Sequence, residues 1–149
     1  PCSLLQGDSI GGNYMSDAVQ VHVSVDQIGP AASEGRAREH KVVMDRPEAK
    51  GGENRGAMGG ENLLMALGGC FMSNLLAAAK SRESDVTDVK LSITGTLGAA
   101  PPSFTAVEMK ITAGYSDKEQ MEKLVTIAKR GCIVANTLKN AVDLKIALA

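Results

Sequence analysis

Apolar positions recur along this chain with two different periods, and the switches between them mark its elements. Between Ala18 and Asp26, Val19, Val21, Val23 and Val25 alternate with other residues. A period of two in β-branched side chains predicts a half-buried strand. A loop rich in Gly, Ala and Ser follows and carries Arg36 and Arg38; Lys41 to Asp45 then reads as the returning strand of a hairpin, closed by Pro47. Alternation resumes at Val89, Leu91 and Ile93 and again at Val107, Met109 and Ile111, with a turn from Gly98 to Pro102 between them. Those runs predict a second antiparallel hairpin. Val142 to Leu148 alternates once more and predicts a closing strand.

Two stretches break that period. Leu63 to Ala79 holds seventeen consecutive residues without a charge, and its Ala, Leu and Met content favours helix despite Gly68-Gly69. A helix that is apolar all round is expected to be buried all round. Leu63, Leu67, Cys70, Asn74 and Ala77 share one stripe of it, and the two glycines remove bulk just before the thiol. The run falls at the short limit of a membrane span and is bracketed by Glu61 and Lys80, so a core helix is the expectation and no membrane partner is expected. The second helix opens at Ser116 with Glu119 three residues on, a capping box. Met121, Leu124, Val125 and Ala128 form its apolar stripe, and Gly131 ends it. Cys132 to Asn140 reads as a further helical turn with Cys132 at its N-terminus, where the dipole favours thiolate. The five glycines between Ala49 and Gly60 lack the Gly-Lys-Ser/Thr ending of a phosphate cradle and read as a mobile connection into the buried helix. Strand pairs set apart from helices predict an α+β fold with antiparallel sheet.

Composition narrows the chemistry. The 149 residues suffice for one domain, taken as 18–149, with 1–17 as an N-terminal arm that is disordered or partly non-native, because Met15-Ser16-Asp17 resembles a translation start. Sixteen basic and seventeen acidic residues nearly cancel, and no basic run suggests nucleic acid. Three cysteines at 2, 70 and 132, with only His22 and His40 beside them, fit neither a metal centre nor a disulfide scaffold. No charged-then-apolar leader opens the sequence, so a cytoplasmic location is expected. A free cysteine such as Cys70 is often a small inert hydrophobe, and what argues otherwise is its relation to Cys132.

Glu61-Asn62-Leu63-Leu64, then Ala66-Leu67-Gly68-Gly69-Cys70, then Gly131-Cys132-Ile133-Val134-Ala135-Asn136-Thr137-Leu138 resemble the motifs of the OsmC/Ohr family of thiol-dependent hydroperoxide reductases. The resemblance spans roughly Ala18 to Leu148. Two features depart from the family pattern: Ile133 stands where a proline often follows the second cysteine, and Glu61 lies nine residues before Cys70 where the Ohr branch has ten. The resemblance implies an OsmC-like fold, antiparallel β-sheets wrapped around a long buried central helix, in an intertwined homodimer. It implies that Cys70 attacks an organic hydroperoxide and becomes sulfenic acid, that Cys132 condenses with it to a disulfide, and that an external dithiol or lipoyl-type reductant resets the pair without a bound cofactor. It also implies a cation that lowers the Cys70 pKa, from Arg36 or Arg38, held by Glu61, with Arg36 favoured because it follows Gly35. A non-catalytic member that binds a small apolar ligand or senses oxidation is the alternative.

Overall fold

The computed structural model describes residues 18–140 and 145–146. The predicted arm at 1–17 lies outside the described residues, as does most of the closing strand predicted at 142–148; Lys145 and Ile146 carry no regular secondary structure. Strand β1 (Ser24–Gln27) pairs antiparallel with β2 (Ser33–Ala37), and β2 pairs antiparallel with β3 (His40–Met44). The expected hairpin is thus a three-stranded meander, because the stretch read as a Gly/Ala/Ser loop contains β2. Its small residues hide the strand signal: Gly35 lies between Val25 and Val42 in the register. The first strand is also shorter than predicted. Ser24 pairs with Arg36 and β2 ends at Ala37, so Val19 to Val23 find no backbone partner on β2.

That sheet has one apolar face, and among the described residues nothing covers it: Val25 is 59% exposed and Val42 46%. No residue of β1, β2 or β3 belongs to the main hydrophobic core.

The glycine-rich connection is pinned, contrary to the mobile linker expected. Buried Asp45 accepts hydrogen bonds from the backbone N–H groups of Arg46 (2.7 Å), Glu53 (3.1 Å) and Arg55 (3.2 Å). Burial works against its charge, and the three amides outweigh it and hold the carboxyl below its usual range. Gly52 and Gly56 press against the backbone of Arg46 and Val43; any side chain there would collide with a carbonyl. The glycines serve close approach.

Helix α1 (Gly59–Ser81) is longer than the uncharged run, since its first and last turns are polar. Strands β4 (Thr87–Ala99) and β5 (Pro102–Gly114) form the predicted second hairpin, with Leu91 opposite Ile111 and Ile93 opposite Met109. Helices α2 (Lys118–Gly131) and α3 (Ile133–Lys139) follow. The N-cap of α2 is Asp117, whose carboxylate accepts from the Gln120 N–H, because the Ser116 hydroxyl is taken by Asp85. Leu67, Phe71, Leu75 and Ala78 of α1 meet Met121, Leu124 and Ala128 of α2 in the core, closed by the inward residues of the hairpin. The buried stripe of α1 therefore runs through Phe71 and Leu75 and leaves Cys70 and Asn74 at its margin. The helix is not buried all round within this chain: Met65 is 55% and Leu76 49% exposed. The architecture is α+β, two antiparallel sheets with a long helix against one of them.

Candidate active site

Two elements far apart in sequence bring Cys70 and Cys132 together. Cys70 projects from the middle of α1, partly buried. Cys132 sits at the corner between α2 and α3, wholly buried, and as N-cap of α3 its sulfur accepts from the Ala135 N–H at 3.4 Å. Both are free thiols. Cys70 packs against the core cluster that contains Cys132, and each thiol influences the other's titration.

Their surroundings differ in electrostatic effect. The Val134 N–H is the chief influence that lowers the Cys70 pKa, helped by the Cys132 thiol and the Ile133 N–H and opposed by burial. Burial is the chief influence that raises the Cys132 pKa, and its neighbour's sulfur adds to it. The expectation that the field at the start of α3 makes Cys132 the thiolate is thus corrected. The amides of α3 serve Cys70 across the gap, and desolvation overrides them at Cys132. No arginine contributes among the described residues. Val134 and Ile133 escaped the sequence reading because backbone donors carry no side-chain signal; only their place just after Cys132 pointed to them.

The other expected participants lie elsewhere in this chain. Arg36 stands on β2, where Nε (2.9 Å) and an Nη (2.8 Å) grip the Glu34 carboxylate. Arg38 occupies the β2–β3 turn with φ 55°. Glu61 accepts from the Met58 N–H at 2.9 Å and caps α1. The described residues contain no ion pair between Glu61 and either arginine, so one chain by itself does not assemble the arginine–glutamate arrangement expected beside Cys70.

An apolar groove of about 480 Å³ runs between α1, β5 and α3, with Leu64, Leu67, Phe104, Val107, Met109 and Ala135 among its walls. Leu67 is one turn before Cys70 and Ala135 belongs to the first turn after Cys132, while neither thiol lines the groove itself. No group of three or more His, Cys, Asp or Glu able to hold a metal occurs among the described residues.

The fold is shared with solved structures. An OsmC-like protein from Mycoplasma pneumoniae superposes with a TM-score of 0.72 at 12% identity, over 81% of this chain and 88% of that one. An organic hydroperoxide resistance protein from Elizabethkingia anophelis gives 0.64 at 16%, over 84% and 91%. One from Legionella pneumophila gives 0.56 at 18%, over 85% and 94%. No curated protein sequence matches the chain. Residues 52–147 match the family profile described as OsmC-like protein, and on that match, which takes in more than half of the sequence, the chain belongs to the OsmC-like family.

Proposed function

We propose that this protein is a cysteine-based reductase of organic hydroperoxides. The observation that carries the reading is the meeting of two free thiols from distant parts of the chain in one core, with the Cys70 pKa lowered and that of Cys132 raised. The Cys70 thiolate attacks the distal oxygen of ROOH, the O–O bond breaks, and the departing alkoxide takes a proton to leave as alcohol. Cys70 is then a sulfenic acid. The Cys132 sulfur attacks it, a sulfur–sulfur bond forms, and hydroxide leaves as water with the thiol's proton. An external dithiol reduces the disulfide by exchange. The groove between α1, β5 and α3 favours an apolar R group, and the organic hydroperoxide resistance proteins among the structural relatives point the same way. The reading includes a homodimer, which would cover the open faces of α1 and the first sheet and is where Arg36 or Arg38 would approach a thiol.

Steady consumption of cumene hydroperoxide with dithiothreitol as reductant, lost in Cys70→Ser, is the expected result. Stoichiometric consumption that stops after one equivalent in excess dithiol would overturn it and leave a non-catalytic binder of small apolar ligands, which would use the same groove.

A further inference from the structure

Gly131 is the last residue of α2 and immediately precedes Cys132. A Cβ placed on it would lie 2.6 Å from Asn74 Oδ1 and 3.3 Å from Asn74 Cγ, so that a side chain there would force the Asn74 amide to move. Asn74 stands one helical turn after Cys70 on α1, and its Nδ2 donates to the Cys70 backbone oxygen at 2.9 Å. One side-chain amide is thus tied at its nitrogen to the residue bearing the first thiol and set at its oxygen against the residue before the second. On the far side of the corner, Asn136 Nδ2 donates to the Arg130 carbonyl at 3.0 Å. The corner has little slack, because Leu124, Ala128 and Cys132 are all fully buried and interiors of this kind are close-packed.

We propose that Asn74 is a positioning residue: through its contact with Gly131 it sets how closely the α2–α3 corner brings Cys132 to Cys70. A disulfide forms without strain only over a narrow range of Cα separation and side-chain direction. A displacement of a few tenths of an ångström at Gly131 therefore acts on the bridge before it acts on the fold. This role rests on the proposed reaction for its consequence in turnover, yet its test needs no peroxide, so the two can fail separately.

In a Cys2→Ser background, the protein is equilibrated with reduced and oxidised glutathione, one oxidised glutathione being reduced to two thiols for each protein disulfide formed. The linked Cys70–Cys132 fraction is read by thiol labelling and peptide mass spectrometry. Gly131→Ala is expected to shift the equilibrium toward the dithiol about tenfold, or roughly 30 mV for a two-electron couple. Asn74→Ala removes the obstacle together with the tie and is expected to shift it about threefold, and an unshifted equilibrium in this variant would overturn the positioning role. The Asn74→Ala/Gly131→Ala double variant is expected to match Asn74→Ala alone, because the nearest remaining atom, the Cβ at position 74, stands 4.0 Å from the new methyl. Additive losses in the double variant, or an unshifted equilibrium in a folded Gly131→Ala, would overturn the assignment. If Gly131→Ala does not fold, the double variant decides: folded, with the Asn74→Ala equilibrium, it supports the contact, and unfolded it overturns it. Absence of the bridge in the starting protein overturns it too, whereas a bridge without peroxide turnover removes only the reductase reading.

Discussion

Cys70 on α1 and Cys132 at the α2–α3 corner share one core, and the two thiols are pushed in opposite directions, Cys70 toward a lower pKa and Cys132 toward a higher one. Backbone amides lower both thiols, and the asymmetry comes from burial, which outweighs them at Cys132 and not at Cys70. The Val134 and Ile133 amides favour the Cys70 thiolate, while burial is the chief influence on Cys132 in the core. Among the described residues the two thiols are thereby set apart without a charged side chain.

The first expected outcome separates those two roles. Cys70→Ser should abolish peroxide reduction with little loss of stability, since serine is close in size. Cys132→Ser should consume one equivalent of peroxide to give sulfenic acid at Cys70 and a second to carry it to sulfinic acid. Intact-mass and peptide mass spectrometry after one and ten equivalents would show it. Full turnover by Cys132→Ser with monothiol-free dithiol would remove Cys132 from the cycle. Cys2, outside the described residues, is expected to take no part.

Reaction of Cys70 with iodoacetamide should rise with pH and level off at lower pH than for a free cysteine. The sign follows from the donors: the Val134 N–H, the Cys132 thiol and the Ile133 N–H all stabilise the thiolate, so more of it is present at a given pH. Cys132→Ala removes one donor and should move the inflection upward, leaving the two amides in place. Cys132→Ser keeps a hydroxyl donor and should move it less. An inflection that stays put in Cys132→Ala would mean the Cys132 thiol has no electrostatic consequence at Cys70.

Val25, Val42, Met65 and Leu76 are exposed on two separate faces of one chain, and full burial of such side chains is worth ~1.5–3 kcal/mol each. Sedimentation should therefore report a dimer at micromolar concentration, and Leu76→Asp should shift it toward monomer with a lower Tm. A wild-type protein that is folded and monomeric would contradict this.

If the missing cation crosses that interface, neutralising it should raise the Cys70 pKa by about 1–3 pH units. Mixed dimers of an Arg36→Ala/Arg38→Ala subunit with a Cys70→Ser subunit should then regain activity that neither parent shows. No gain on mixing would place the arginine and thiol in the same chain. Full activity of the arginine variant by itself would take both residues out of the mechanism.

The groove should be read by substrate size. Val107→Asp puts a charge on an apolar wall, and KM for cumene hydroperoxide should rise about tenfold, equivalent to ~1.4 kcal/mol. Reaction with hydrogen peroxide, which has no apolar group to place there, should change little. Equal effects on both would disconnect the groove from substrate binding.

Periodicity was enough for the β4–β5 hairpin and for α2, because each alternates or repeats over many residues against one buried face, and the uncharged, helix-favouring run of Leu63 to Ala79 was enough for the core of α1. The two motifs around Cys70 and Cys132 sufficed to nominate the thiol pair. Where side chains are small the pattern fell silent: β2 was missed because Ser33, Gly35 and Ala37 give no apolar signal on one of its faces, and its pairing is a backbone matter. The same holds at the site. Which thiol is the more acidic depends on where the Val134 and Ile133 amides point and on how deeply Cys132 is buried. Asn74 and Gly131 are ordinary helix residues until α1 and the α2–α3 corner are packed together. Those are relations between backbone groups and distant side chains, fixed by three-dimensional approach, and residue identities along the chain do not encode them locally.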